Sequence, residues 1–525
     1  MLHPSRATVM GSKYAVTSSH PLATLAGVDV LKKGGNVVDA AIAVSSVLCV
    51  VQNNMCGLGG DLFALIRSNG RVYGLNASGR AAEAASVDYF RNKGYTEIPK
   101  TGPLAAVTVP GIVSGWGELQ RSFGTFELPE LMQDSARIAE EGFPITKNYS
   151  NSILNSSESL GRFRGWRETF LPGGSVPETG YILKQPHLAT TLREIAIGGP
   201  ENFYRGDLMD RITKGIEAEG GILAAQDFEA HYATWDQPVM TEYRGFKVFE
   251  TAPNSQGATV LLWLNMLEDH DLSKIADGSP ELMELMFRTG YATYTARARH
   301  IADPAFHPFP TEFLSKEFAR RLEEDSRPEW TPGERTEGDT TYFAVANADG
   351  DCVSVIQSNY MGFGSGLMPP GTGVVLHNRG CYFTLEDSHH NKVEPRKRTF
   401  HTLCASIIER EGRPAFVLGS MGGDVQPQIH VQLITALVDR GSDVQLAIDS
   451  PRWGALGTIY EKSQTLVVEE GLQEQALLLR KKGYPVRVLK GYSSLLGHAQ
   501  AIAFGSHGEL MAGADPRGDG AAIGF

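Results

Sequence analysis

A threonine hydroxyl is a weak nucleophile until a base takes its proton, and Thr340 stands where cutting the chain would create one. It lies in Gly338-Asp339-Thr340-Thr341-Tyr342-Phe343-Ala344-Val345-Ala346-Asn347-Ala348-Asp349-Gly350. Cleavage of the Asp339–Thr340 bond frees an α-amine with a reference pKa of roughly 7.7–8.0, low enough to serve as a base near neutral pH. One residue then supplies both nucleophile and base. A strand that merely opens at Asp339-Thr340-Thr341 has the same local pattern, so the assignment depends on the rest of the chain.

The elements around Thr340 follow from turn chemistry and period. Residues 327–339 carry Pro328, Pro332, Gly333 and Gly338 among charged residues and no apolar repeat, which predicts an exposed loop. Residues 342–346 and 352–356 read as short strands joined by an Asp349-Gly350 hairpin turn. Thr340 therefore sits between a loop and a hairpin. Two phosphate-binding patterns fail nearby. Asp339 stands where the P-loop echo at 333–340 needs a lysine, and the glycine-rich turn at 53–61 lacks dinucleotide spacing and runs into strand-like residues 62–66, which points to packing.

Farther out, a short strand precedes a helix near His20-Pro21, and Gly34-Gly35-Asn36 separates it from an apolar helix beginning at Asp39. Residues 119–237 are mostly helical by pattern. Strand character returns at 243–250, helices are expected at 258–268, 280–300 and 431–438, and residues 464–508 alternate strand and helix. Periodicity alone gives a mixed α/β fold.

The 525 residues, 42% hydrophobic and 21% charged, are enough to bury a large core, and a net charge of −12 argues against nucleic acid or an anionic membrane as partner. Residues 1–13 lack the apolar stretch of a secretory signal and no 18-residue apolar run occurs, so the expectation is a cytoplasmic protein without a membrane. Cys49, Cys56, Cys352, Cys381 and Cys404 show no metal-type spacing and read as free thiols. No metal or other cofactor is expected.

The chain resembles the γ-glutamyltransferase family of N-terminal nucleophile hydrolases. The resemblance runs through Thr17-Ser18-Ser19-His20-Pro21-Leu22-Ala23, Gly34-Gly35-Asn36-Val37-Val38-Asp39-Ala40-Ala41 and Gly57-Leu58-Gly59-Gly60-Asp61 to Val109-Pro110-Gly111, the Thr340-Thr341 start and Gly419-Ser420-Met421-Gly422-Gly423. It closes with Ser450-Pro451-Arg452 and Gly513-Ala514-Asp515-Pro516-Arg517. It implies a four-layer αββα sandwich of the N-terminal nucleophile hydrolase type. It also implies self-cleavage into a large fragment, 1–339, and a small one, 340–525, that stay together as a heterodimer, with a dimer of such pairs as a further expectation. Carried over residue by residue, Thr340 is the nucleophile, Ser358 helps hold it, Gly422 and Gly423 supply the oxyanion hole, and Arg80 grips the substrate carboxylate. Glycine suits the oxyanion position because a Cβ would block the approach of substrate to backbone, and arginine suits the carboxylate because its planar fork binds bidentately.

The departures from the family pattern bear on the substrate. Tyr382 stands where γ-glutamyl enzymes carry the acid that binds the α-ammonium, Tyr360 replaces an asparagine, and His401-Thr402 replace paired serines. The segment 382–401 is also shorter than the lid of several family members. These changes imply a smaller acid without an α-amine, of the kind split by the family's oxamate amidohydrolases, which release oxalate and ammonia in purine breakdown. Arg80 stands far out for so short a substrate, so His401 or Thr402 is expected to share the carboxylate. A γ-glutamyl or glutaryl transferase or hydrolase for glutathione-like amides is the second reading, and an uncut, non-catalytic binding protein is the third.

Overall fold

The apolar helix Val37–Val51 shows how the molecule is layered. Asn36 caps it by accepting from the Val38 and Asp39 amides, Asp39 accepts in return from the Asn36 amide, and every residue of the helix is buried. A helix apolar on all sides must be covered on all sides. Its neighbours are the helix Pro21–Lys32 on one side and a β-sheet on the other.

The structure, a computed structural model, describes residues 5–326, 339–456 and 465–525. Among these, two seven-stranded sheets pack face to face. One contains, side by side, Ala521–Gly524, Tyr14–Ser18, Asp339–Asn347, Cys352–Tyr360, Asp61–Ser68, Arg71–Ala77 and Thr234–Asp236. The other contains Val9–Gly11, Leu510–Ala514, Ala499–Phe504, Arg413–Ser420, Ser406–Arg410, Phe246–Glu250 and Val239–Tyr243. Helices Pro21–Lys32 and Val37–Val51 cover the first sheet, and Gly257–Leu267 and Gln426–Val438 cover the second, which makes the four-layer αββα sandwich.

The period of two divides the central strand between layers. Tyr342, Ala344 and Ala346 enter the core between the sheets, whereas Phe343 and Val345 enter the core beneath the helices. The pairings also interlace chain regions on either side of residue 339: Tyr14–Ser18 pairs with Asp339–Asn347, and Phe246–Glu250 with Ser406–Arg410.

Several sequence expectations change in detail. The strand begins at Asp339 instead of residue 342, because Asp339 pairs with Tyr360 ahead of a register shift between Asp339 and Thr341. Thr340 therefore lies at a bulge inside the strand. The 243–250 segment splits into antiparallel strands at Arg244-Gly245, both with positive φ. The helix expected at 431–438 starts at Gln426, since Pro427 occupies a first turn that requires no N–H donor. The loop expected at 327–339 and the failed P-loop echo lie outside the described residues except at their C-terminal ends.

Candidate active site

The bulge turns Thr340 into the junction between strand ends, where it is 1% exposed. Its Oγ1 donates to Ser358 Oγ at 3.2 Å, and Ser358 Oγ in turn donates to the Asp339 carbonyl at 2.6 Å. The Tyr360 amide points at the same serine oxygen from 2.7 Å. Ser358 thus bridges the hydroxyl of Thr340 and the carbonyl preceding it. Tyr360 ends this strand with φ of 77°, a left-handed conformation uncommon for a bulky residue, and its ring meets that of Tyr382 at a centroid distance of 4.6 Å.

Arg379 lies against these two rings, 4.4 Å from Tyr360 and 5.5 Å from Tyr382. Its Nη1 donates to Thr402 Oγ1 at 2.9 Å and its Nη2 reaches Ser358 Oγ at 3.4 Å, while Nε has no hydrogen-bond partner. The side chain is buried, and no carboxylate lies within ion-pairing distance of it among the described residues. Burial accordingly pulls its pKa below that of a free guanidinium.

The Tyr382 hydroxyl donates to Asp424 Oδ2 at 2.5 Å, and Asp424 Oδ1 is 2.9 Å from the buried Arg297. An acid is thus present beside Tyr382, but it is engaged by a phenol and a guanidinium. Asp424 follows the two glycines, and Gln256 Nε2 donates to the Gly423 carbonyl at 3.0 Å. Gly422 has φ of 135°, and a Cβ there would stand 2.7 Å from Val425 Cγ2. Among the described residues, neither the Gly422 nor the Gly423 N–H donates to a backbone carbonyl outside the regular elements.

Beneath Thr402 lies a second polar pocket of the core. His401 Nε2 meets Asp61 Oδ2 at 3.0 Å, and His401 Nδ1 accepts from the Leu403 amide at 3.3 Å, so both ring nitrogens are engaged inside the protein. Burial pushes His401 down to about 3, which keeps it neutral. Burial alone would raise the Asp61 carboxyl, but His377 and His401 outweigh it and hold Asp61 well below the usual range. The turn carrying Asp61 needs its glycines: a Cβ on Gly59 would stand 2.1 Å from the Val375 carbonyl, and one on Gly60 2.5 Å from that of Ser358. These glycines allow close packing, in line with the sequence reading.

Arg80 takes another course. Its guanidinium lies 4.6 Å from the ring of Tyr232 and donates to the Tyr232 carbonyl at 3.3 Å. The short segment after Tyr382 is pinned by Asn391, whose side chain donates to the Tyr382 carbonyl and accepts from the Phe400 amide.

The Gamma-glutamyltranspeptidase family pattern matches residues 23–525. The chain belongs to this family. It is 39% identical to the glutathione hydrolase-like YwrD proenzyme of Bacillus subtilis, with 99% of each chain covered. It is 34% identical to the oxamate amidohydrolase proenzyme of Klebsiella pneumoniae over the full length of both. The crystal structure of cephalosporin acylase from Bacillus halodurans superposes with a TM-score of 0.93 at 33% identity, covering 100% of this chain and 98% of that one. This γ-glutamyltranspeptidase family member is an enzyme of the N-terminal nucleophile hydrolase type, and its relatives act on amides.

Sequence reasoning brings Thr340, Ser358, Tyr360, Tyr382, Thr402, Gly422 and Gly423 to the same neighbourhood, and the fold collects them there. It passes over Arg379, Asp424, Arg297, Asp61 and His377. Arg379 leaves one signal, a lone cation between the apolar run 374–376 and Gly380-Cys381-Tyr382-Phe383. Among the described residues, one set of possible metal ligands also converges, Glu250, Cys404 and His430. It is fully buried and already internally bonded, with His430 Nδ1 2.9 Å from Glu250. No helix is long and apolar enough to cross a membrane among the described residues.

Proposed function

We propose that the chain cuts itself between Asp339 and Thr340 and that the freed Thr340 hydrolyses a small carboxylate-bearing amide, with oxamate, split to oxalate and ammonia, as the substrate. The observation that carries this reading is the Ser358 hydroxyl, bonded to both the Thr340 hydroxyl and the Asp339 carbonyl. In the precursor it aligns the nucleophile with the carbonyl it attacks. Fragments 1–339 and 340–525 then remain interlaced through shared sheets.

In the mature enzyme the Thr340 amine takes the hydroxyl proton, Oγ1 attacks the amide carbon, and the Gly422 and Gly423 amides receive the developing oxyanion. Losing one such donor typically costs on the order of 10²–10³ in rate. Ammonia leaves with the proton, and water cleaves the ester. The buried rings of Tyr360 and Tyr382 meet beside the Ser358 that holds Thr340, which favours a short acid. A γ-glutamyl α-ammonium would find Asp424 already committed to Tyr382 and Arg297. Action in the cytoplasm and a place in purine breakdown belong to the same reading.

The second reading, a glutathione-type hydrolase or transferase, is favoured by the presence of Asp424 itself and by the 39% identical relative being a glutathione hydrolase-like proenzyme. Ammonia or amine release from oxamate, glutamine and glutathione, measured side by side on protein whose fragments have been sequenced from their N-termini, separates the readings. Oxamate is expected to be turned over with the highest kcat/KM by protein cut at Thr340. Faster release from glutathione would overturn the small-acid reading, and full activity in uncut chain would overturn the mechanism.

A further inference from the structure

We propose that Arg379 is the anion-binding residue of this site and that it takes a carboxylate attached directly to the scissile amide carbonyl. The inference rests on Thr340 being the nucleophile, and it assigns to Arg379 the carboxylate that family resemblance gives to Arg80.

A buried cation without a counter-charge is costly, and proteins ordinarily give such a group an acid partner. Arg379 has none among the described residues. Asp61, whose charge it feels, is committed to His401 and to the Gly79 amide. Tyr360 and Tyr382 offer ring faces, and burial drives both phenols far above their ordinary pKa, so neither supplies an anion. The missing charge is one that a substrate can bring.

One edge of the guanidinium is short of partners. Nη1 is spent on Thr402, but Nε is unpartnered and Nη2 makes only a long contact with Ser358. Nε and Nη2 share one edge of the planar group and form the fork that binds a carboxylate through two parallel hydrogen bonds. That edge carries the contact to Ser358, which is itself bonded to Thr340.

Nη2 reaches Ser358 Oγ at 3.4 Å and Ser358 Oγ lies 3.2 Å from Thr340 Oγ1, so fork and nucleophile are at most two hydrogen-bond lengths apart. A carboxylate bonded to the scissile carbonyl fits between them. The α-carboxylate of a γ-glutamyl group is three carbons farther away, and at roughly 1.5 Å per bond it overshoots the fork unless the chain doubles back. Arg379 thus selects monoamides of oxalic acid, with the Thr402 hydroxyl, which accepts from Nη1, holding the other edge in place.

The test uses oxalate as an equilibrium probe and oxamate as substrate, with succinate and succinamate as longer matches of the same charge types. Native, processed protein is expected to bind oxalate at least roughly tenfold more tightly than succinate, and Arg379→Gln to weaken oxalate binding by roughly thirtyfold or more. The oxamate KM should rise in the same variant, with Arg379→Lys between the two because a point charge keeps the attraction and loses the fork. Unchanged oxalate affinity in Arg379→Gln would make the residue a brace for Ser358 and Thr402 and overturn the proposal. If that variant fails to fold, the native oxalate-to-succinate ratio and the Arg379→Lys variant still decide: equal affinities for the two anions, or undiminished oxalate binding by the Arg379→Lys protein, overturn it. Oxalate binding that depends on Arg379 without ammonia release from oxamate would leave the anion site standing and remove the oxamate reaction. Absence of oxalate binding in protein that cleaves another amide would remove the anion site alone.

Discussion

Arg517 and Arg379 are both buried arginines, and their surroundings are opposite. Arg517 has Glu469 at 2.5 Å and Asp515 at 3.2 Å, and Asp515 also holds Arg452 at 2.6 Å. Two guanidinium groups face two carboxylates, and spare donors reach the carbonyls of Ile448, Ser450, Leu496 and Gly497. Burial alone would lower the Arg517 pKa, but Asp515 and Glu469 outweigh it and raise it. Arg379 meets only hydroxyls and aromatic faces, and its pKa falls. The first cluster is closed and fixes the chain near His498, whose carbonyl accepts the Met421 amide just ahead of Gly422. The second is unpartnered at Nε beside Ser358 and Thr340. A buried cation with all its partners supplied by the chain braces the fold; one that lacks a counter-charge leaves that place to a ligand.

The largest effect should come from chemistry removed without disturbing either cluster. Thr340→Ala is expected to remain a single band of 57.0 kDa on denaturing electrophoresis and to keep its melting temperature. Its amide hydrolysis should fall by roughly 10⁴-fold or more, as when other enzymes lose their nucleophile. A cut Thr340→Ala chain would place the scissile bond elsewhere.

Next comes stability. Asp515→Ala strands the buried Arg452 guanidinium and leaves Arg517 with Glu469 alone, and is expected to cost about 3–5 kcal/mol of unfolding free energy in urea titration. Arg379→Met, by contrast, removes a charge that the fold has not paired and should cost no more than about 1 kcal/mol while abolishing oxalate binding. Equal losses in the two variants would erase the distinction between the clusters.

Acidification should expose another set of buried groups. Burial holds His401 and His231 at about 3 and His20 at about 4 in the folded protein, against 6.5 in the unfolded chain. The unfolded state therefore binds more protons between those limits, so stability is intact above 6.5 and falls as pH drops toward 3. Each histidine contributes up to roughly 1.4 kcal/mol per pH unit in that window. Melting temperature followed downward from neutral pH should decline accordingly, and a flat profile would mean that these imidazoles protonate without unfolding.

The smallest effect is expected at the other arginine near the site. Arg80 rests on Tyr232, so Arg80→Lys should change the oxamate KM by less than about threefold, in keeping with a partly exposed contact. A larger rise, with Arg379→Lys silent, would return the carboxylate to Arg80.

Much of this was determined by the sequence alone. The hairpin around Asp349-Gly350, the helix Pro280–His300, the glycine-rich turn before Asp61 and the alternation of Tyr342 to Ala346 are local: turn chemistry, capping and period fix them within a few residues. The ordered motifs from Thr17 to Arg517 likewise specify the family, and with it the candidate roles of Thr340, Ser358 and the paired glycines. What the tertiary structure decided is long-range. Asp339 pairs with Tyr360 across the hairpin and puts Thr340 on a bulge. His401 is neutralised by burial beside an Asp61 that lies 340 positions away in sequence, and the Tyr382 hydroxyl is spent on Asp424. Nothing in the local spacing told Arg379 from Arg517. Whether a buried guanidinium has a carboxylate beside it depends on which distant strands and loops the fold brings together, because charge is satisfied in space and not along the chain.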